Sequence, residues 1–341
     1  MADQPDLTKS SSVTIGLNAV IAIVDDGTPK TLCVRDNDSR YSLPYGPFDP
    51  ARHRTFEIGL KDWVERQTNV RLGFIEQLYT FGDKGRAAPA ALIAGGAADA
   101  RIVSVGYLAL ANEAADIARA DTIWKSWYDC FPWEDWRRGE PAVITETILP
   151  GLKDWTTRGV NDRECILRKD RTALTFGLQG VGWEEERALD RYELMYEAGL
   201  VEEAWRDRAA AGLPEPRTDP AATRLLGAAM ASDHRRILAT AIGRLRGKLK
   251  YRAVVFELMP RAFTLLALQR TVEAIVGFQL HKQNFRRSVE GSGLVERTDE
   301  MVQQPSGRPA ALFNVSGATK IDRAARGLAI PRLRQSPAFK L

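Results

Sequence analysis

Three cysteines (Cys33, Cys130, Cys165) and three histidines are all that 341 residues contain. The cysteines lie far apart, which excludes a disulfide framework and any paired-cysteine metal site. No apolar run approaches the roughly 20 residues that a membrane-spanning helix requires. The first dozen residues are polar and carry Asp3 and Asp6, which does not fit a secretory signal. Walker loops, nucleophile elbows and zinc signatures are also missing. These absences set the expectation of a cytoplasmic protein with no metal, no required cofactor and no membrane partner.

What remains is an ordinary globular composition, 44% hydrophobic and 27% charged, on a chain long enough for two domains. The net charge of +4 hides an uneven distribution. From residue 231 onward there are 20 Lys or Arg against 8 Asp or Glu; before it the counts are 28 and 36. A basic module on an acidic body points to phosphate contact, since each neutralised phosphate releases condensed counterions. A merely solvated basic surface is the alternative that charge alone leaves open.

Residues 13–24 alternate and then run apolar, Asp25-Asp26-Gly27 gives a turn, and 31–34 a second run, so a β-hairpin is predicted. Leu43-Pro44-Tyr45-Gly46 punctuates a loop. Residues 55–67 carry Phe56, Leu60, Trp63 and Val64 at helical spacing. Strands are predicted near 74–81 and 102–111, with an Ala/Gly-rich loop at 86–100 between them. This order indicates an α+β domain. Trp124, Trp127, Trp133, Trp136 and Trp155 crowd into 122–155 and read as a packing surface. One amphipathic helix is predicted over 183–208, a candidate dimer contact, followed by a proline-bearing linker at 212–220.

Asp233 is placed to cap a helix over 234–250 whose apolar stripe is Ile237, Leu238, Ala241 and Leu245. Arg235, Arg236, Arg244, Arg246 and Lys248 lie off that stripe. Thr264 can cap a second helix ending at Gly277, and Phe278-Gln279-Leu280 turns into a third over 281–290. On this third helix Phe285 and Val289 share the inward side. Gln283, Arg287 and Glu290 face outward, flanked by Lys282, Asn284 and Arg286. Arg, Gln and Asn have the donor geometry to read base edges in a major groove. Residues 294–297 and 308–313 read as the strands of a wing, with Arg308 at its loop placed to meet phosphate. The expected DNA-contacting set is Thr264, Lys282, Gln283, Asn284, Arg286, Arg287 and Arg308. A helix-turn-helix serving protein contact alone is the competing reading.

Asp233-His234-Arg235-Arg236-Ile237-Leu238 and Arg244-Leu245-Arg246 resemble the linker helix of the Nudix-related transcriptional regulators (NrtR). Phe263-Thr264-Leu265, Leu268-Gln269, Asn284-Phe285-Arg286-Arg287 and Gly307-Arg308-Pro309-Ala310 resemble the same regulators. Leu43-Pro44-Tyr45-Gly46 is similar to the opening of a Nudix box, and 76–83 and 101–110 to the strands after it. The run from Phe131 to Arg137 looks like the longer NadQ branch. The resemblance implies a Nudix-like α/β sandwich domain (1–140), a helical insert and linker (141–230) and a C-terminal winged helix-turn-helix with a basic tail (231–341). It also implies a homodimeric repressor of NAD-biosynthesis genes, with NAD, ADP-ribose or ATP as effector. Tyr45, Arg86 and Arg101 are the expected pocket residues, an Arg on a strand facing a nucleotide being the physical motive.

A working Nudix hydrolase presents clustered carboxylates to Mg²⁺. With Asn69 in the place of the box glycine, those positions correspond to Asp62-Trp63-Val64-Glu65-Arg66-Gln67, and Trp63, Arg66 and Gln67 replace the glutamates. The chain is therefore expected not to be an enzyme. Asp62 and Glu65 keep open the alternative of an active hydrolase of nucleoside diphosphate derivatives such as ADP-ribose. A scaffold using the tryptophan-rich insert is a third reading.

Overall fold

The computed structural model describes residues 13–35, 40–70, 72, 74–82, 101–112, 121–303, 308–317 and 319. The predicted hairpin forms from β1 (Val13–Asp25) and β2 (Thr28–Arg35). Asp26 and Gly27 both take positive φ, as a two-residue loop between twisted strands requires. A seven-stranded mixed sheet grows around them in the order β3-β2-β1-β6-β5. Here β3 is Tyr41–Ser42, β5 Phe74–Phe81 and β6 Arg101–Leu110. Strand β4 (Tyr45–Pro47) pairs with β1, and β7 (Thr122–Ser126) with β2. The long β1·β6 pairing is parallel. β7 lies within the tryptophan-rich stretch, whose packing character masks its strand pattern.

Alternation along β1 sends Leu17, Ala19 and Ile21 to one face and Val20 and Ala22 to the other. The first face packs under the helix Phe56–Thr68 through Leu60 and Val64. The second face is covered by the tryptophan-rich segment and by the helix His234–Leu249. Gly106 on β6 permits that approach, because a Cβ there would stand 3.0 Å from the Ile237 side chain.

The helix His234–Leu249 is the central rod of the molecule. Arg235 and Arg246, expected off its apolar stripe, are each only 1% exposed. Burial of a guanidinium is tolerable only with its hydrogen bonds met. Arg235 donates to Cys130 O, Leu226 O and Glu203. Arg246 pairs with Glu134, which also takes Arg191 at 2.5 and 3.0 Å. Arg236 and Lys248 are engaged as well, with Glu193 and with Glu76 of β5. At the first turn, Asp233 makes no side-chain cap and sits 3.8 Å from Arg236.

The helix expected over 183–208 is two helices, Ala188–Glu197 and Glu202–Ala210. Gly199, at φ 72°, breaks it. The apolar face of the first, with Tyr192, Leu194 and Met195, is spent inside this chain's own core. Nor is 212–220 a free linker: Thr218 donates to Gly199 O at 2.5 Å and Arg208 to Pro214 O at 2.7 Å.

The C-terminal module has the support helix Leu265–Val276, the recognition helix Lys282–Gly291 and a three-stranded sheet β8-β10-β9. These strands are β8 (Ala262–Phe263), β9 (Val295–Val302) and β10 (Ala310–Val315), the last two forming a longer wing than the alternation suggested. The support helix ends at Gly277 in the left-handed conformation, φ 81°. Its last carbonyls, which no helical amide can reach, are met from outside. Tyr128 donates to Ala274 O at 2.6 Å, Arg246 to Ile275 O at 2.8 Å, and Trp136 N to Gly277 O at 2.7 Å. The module is thus fastened at one helix end to the tryptophan-rich segment and to the central helix.

Burial raises the Glu134 carboxyl, but Arg191 and Arg246 outweigh it and hold the group below its ordinary range. A depressed folded pKa contributes stability above the unfolded value, near 4.3, and that contribution is lost as pH falls through the folded value. Glu134→Ala leaves two buried cations unpaired. It should cost about 3–5 kcal/mol in urea unfolding at neutral pH, with the difference from wild type narrowing below about pH 4.

Candidate functional site

Phe285 and Val289, each 1% exposed, fix the recognition helix to the module's core. His281 caps it, its ring nitrogen accepting from Asn284 N at 3.5 Å. Lys282, Gln283, Asn284, Arg286, Arg287 and Glu290 are all exposed. At 100° per residue they divide into two flanks. Lys282, Arg286 and Glu290 lie one turn apart on the side of the wing. Gln283, Asn284 and Arg287 occupy the outer side, with Arg287 3.5 Å from the Asn284 amide oxygen.

A groove of about 540 Å³ separates the first flank from the wing. It brings together Thr264, Lys282, Arg286 and Arg308 of the expected set, and adds Arg297 and Glu290. Arg297 was missed as a contact. It sits on β9 opposite Phe313 of β10, and the signal that could have found it is a cation within a wing strand. The Thr264 hydroxyl accepts from Ala267 N at 3.1 Å as the support helix's cap. Its own hydrogen stays available, beside a helix N-terminus that favours anions. Among the described residues, none of Lys282, Arg286, Arg297 and Arg308 has an acidic partner. The arginines and lysine of the central helix are largely paired; these four are not. A protruding helix of 10–12 Å diameter flanked by such cations matches a major groove about 12 Å wide.

The Nudix-box region is built differently. Thr55 caps the helix Phe56–Thr68, and Asn69, at φ 58°, ends it in the left-handed conformation expected of the box glycine. Trp63 Nε1 donates to Pro47 O at 2.7 Å. The Gln67 amide bridges Tyr45, accepting from its N at 3.1 Å and donating to its O at 2.7 Å. Arg66 lies over the Trp63 ring at 4.4 Å and pairs with Asp62. The hydrogen bond from His53 at 2.9 Å, with Arg66 alongside, holds the Asp62 carboxyl below its usual range. Positions that would carry metal carboxylates thus tie the helix to β4. Among the described residues, no three His, Cys, Asp or Glu converge where they could hold a metal ion.

Two of the three expected pocket residues lie on described strands of the sheet. Tyr45 pairs with Asn18 and its ring lies 5.3 Å from His234. Arg101 opens β6 opposite Val13, five residues or roughly 16 Å away along β1. Arg86 falls outside the described residues, as do 304–307 of the wing loop and the basic tail from 320.

Residues 255–315 match the NrtR DNA-binding winged helix domain. A curated relative from Acinetobacter baylyi, an ADPR responsive transcriptional repressor, is 43% identical over 84 residues, or 25% of this chain. The match spans only a third (33%) of that relative's length. Among solved structures, Shewanella oneidensis NrtR complexed with a 27mer DNA gives a TM-score of 0.55 at 19% identity, covering 93% of this chain and 99% of that one. A second Shewanella oneidensis NrtR structure gives 0.54 at 20%, with the same coverage. At such identities the likeness shows the fold: a Nudix-like α+β domain joined to a C-terminal winged helix.

Gly46 underlies the Trp63 lock, because a Cβ there would meet the indole at 2.0 Å. Gly46→Ala should therefore displace Trp63 and cost about 1–3 kcal/mol. Thermal unfolding and the Trp63 emission maximum check this.

Proposed function

We propose that this chain is a DNA-binding transcriptional repressor whose Nudix-like domain senses a nucleotide without hydrolysing it. The carrying observation is the groove beside the recognition helix, with Lys282, Arg286, Arg297 and Arg308 unpaired among the described residues around it. The match of 255–315 to a DNA-binding winged helix supports duplex DNA as the partner. The description of the Acinetobacter baylyi relative supports ADP-ribose as effector, with NAD and ATP the related nucleotides to compare. Under this reading 1–140 sense the nucleotide, 141–230 form the insert and 231–341 bind DNA. Tyr45, Arg86 and Arg101 are assigned to the effector pocket. A homodimer would set two recognition helices in successive major grooves of a pseudo-palindromic operator. The regulated genes are those of NAD biosynthesis. Non-catalysis is inferred from Trp63, Arg66 and Gln67 at the box positions and from Asp62 held between His53 and Arg66.

Fluorescence anisotropy with a labelled duplex from the promoter of the NAD-biosynthesis genes, at two salt concentrations and with each nucleotide, tests the reading. Sequence-selective binding is expected, shifted by ADP-ribose through a coupling of about 1–3 kcal/mol. Arg287→Ala should relax selectivity at a cost of about 1–3 kcal/mol, and Arg308→Ala should lower the salt slope by about one. Binding indifferent to sequence that collapses with salt would overturn it. So would steady turnover of ADP-ribose with Mg²⁺ that Asp62→Ala abolishes.

A further inference from the structure

The recognition helix carries its charges against its own dipole. Lys282 stands at the N-terminus and Glu290 in the last turn, with no acid in the first turn and no base in the last. Both placements weaken an isolated helix, since the N-terminus favours anions and the C-terminus cations. Local pairing does not account for Glu290 either. Arg286, one turn before it, forms no ion pair with it among the described residues, and the order Arg then Glu is the weaker of the two. Yet Glu290 is exposed and lines the groove as the one acid among Lys282, Arg286, Arg297 and Arg308.

We propose that Glu290 is a sequence-selecting residue of this interface, accepting a hydrogen bond from the exocyclic amine of a cytosine in the major groove. The proposal rests on the DNA-binding reading above. A carboxylate has only acceptors to offer, so it meets the cytosine N4 donor and is repelled by guanine and thymine oxygens and by phosphate. Its site, eight residues or about 12 Å along the helix from Lys282, is one where a fifth cation would have strengthened binding to any duplex. A carboxylate there gives up nonspecific affinity and gains discrimination.

The test is selection from a randomised duplex pool by the wild-type protein and by Glu290→Gln, followed by anisotropy on the selected and on random duplexes. The wild type should select a motif with a fixed cytosine column that the variant loses. The variant should bind random duplex more tightly and with a steeper salt slope, its selected-to-random ratio falling roughly tenfold. Its Tm should not fall, since no packing is removed. An unchanged motif and ratio would overturn the role of Glu290 alone. A wild type that selects no motif would remove the DNA-binding reading itself.

Discussion

Glu134 has no access to water and is held by two arginines that have none either. Each of the three comes from a different part of the chain: the segment after β7, the helix Ala188–Glu197 and the central helix His234–Leu249. Removing an ion from water costs several kcal/mol, so three ions can stay buried only in the one arrangement that satisfies them all. Arg191 also donates to Glu184 O and Thr175 O, and Arg246 to Glu185 O and Ile275 O. Six segments are thereby fixed around one carboxylate. The apolar core about them, with Trp133, Trp136 and Trp183, tolerates many packings; the ionic cluster tolerates few.

From this cluster the support helix runs to the groove beside the wing. Its C-terminus rests on Arg246, Tyr128 and Trp136; its N-terminus, Thr264, opens on the groove. Twelve residues span about 18 Å, so the position of Glu134 and the aim of the recognition helix are linked by one rigid element. The central helix meets the Nudix-like sheet at both of its ends. His234 accepts from Leu43 N at 2.9 Å, beside the Tyr45-Gly46 corner, and Lys248 pairs with Glu76.

How much of this could be read from residues alone depended on the range of the interaction concerned. The Asp26-Gly27 hairpin, the Thr264 cap, the Gly277 stop and the inward pair Phe285 and Val289 are local, and a few neighbouring side chains specify them. Chain-distant contacts were illegible. Glu134 and Arg246 are 112 residues apart, and nothing near Arg246 marks it as buried. Counting it with Arg235 as surface charge overstated the basic face. The break at Gly199 was hidden for a different reason: a single glycine is tolerated within an amphipathic pattern, and what stops the helix is its left-handed backbone. In the Nudix-like half, the absence of carboxylates at Trp63, Arg66 and Gln67 was legible through the resemblance to a Nudix box. Their new work of holding β4 was not.

The two kinds of arginine in this chain show why net charge alone is a poor guide to an interface. A guanidinium that has found carbonyls and a carboxylate, as Arg235 and Arg246 have, contributes nothing to the field outside. One that is exposed and among described residues unpaired, as Arg286 and Arg297 are, contributes all of it. The groove is therefore defined less by the number of cations after residue 231 than by which of them the fold leaves unneutralised. Along the recognition helix that selection is sharp. Phe285 and Val289 take the only buried positions, so every charged side chain from Lys282 to Glu290 is turned to solvent. A helix held by two apolar side chains can present that many charges because the module's stability comes from elsewhere, through the support helix and the buried carboxylate beneath it.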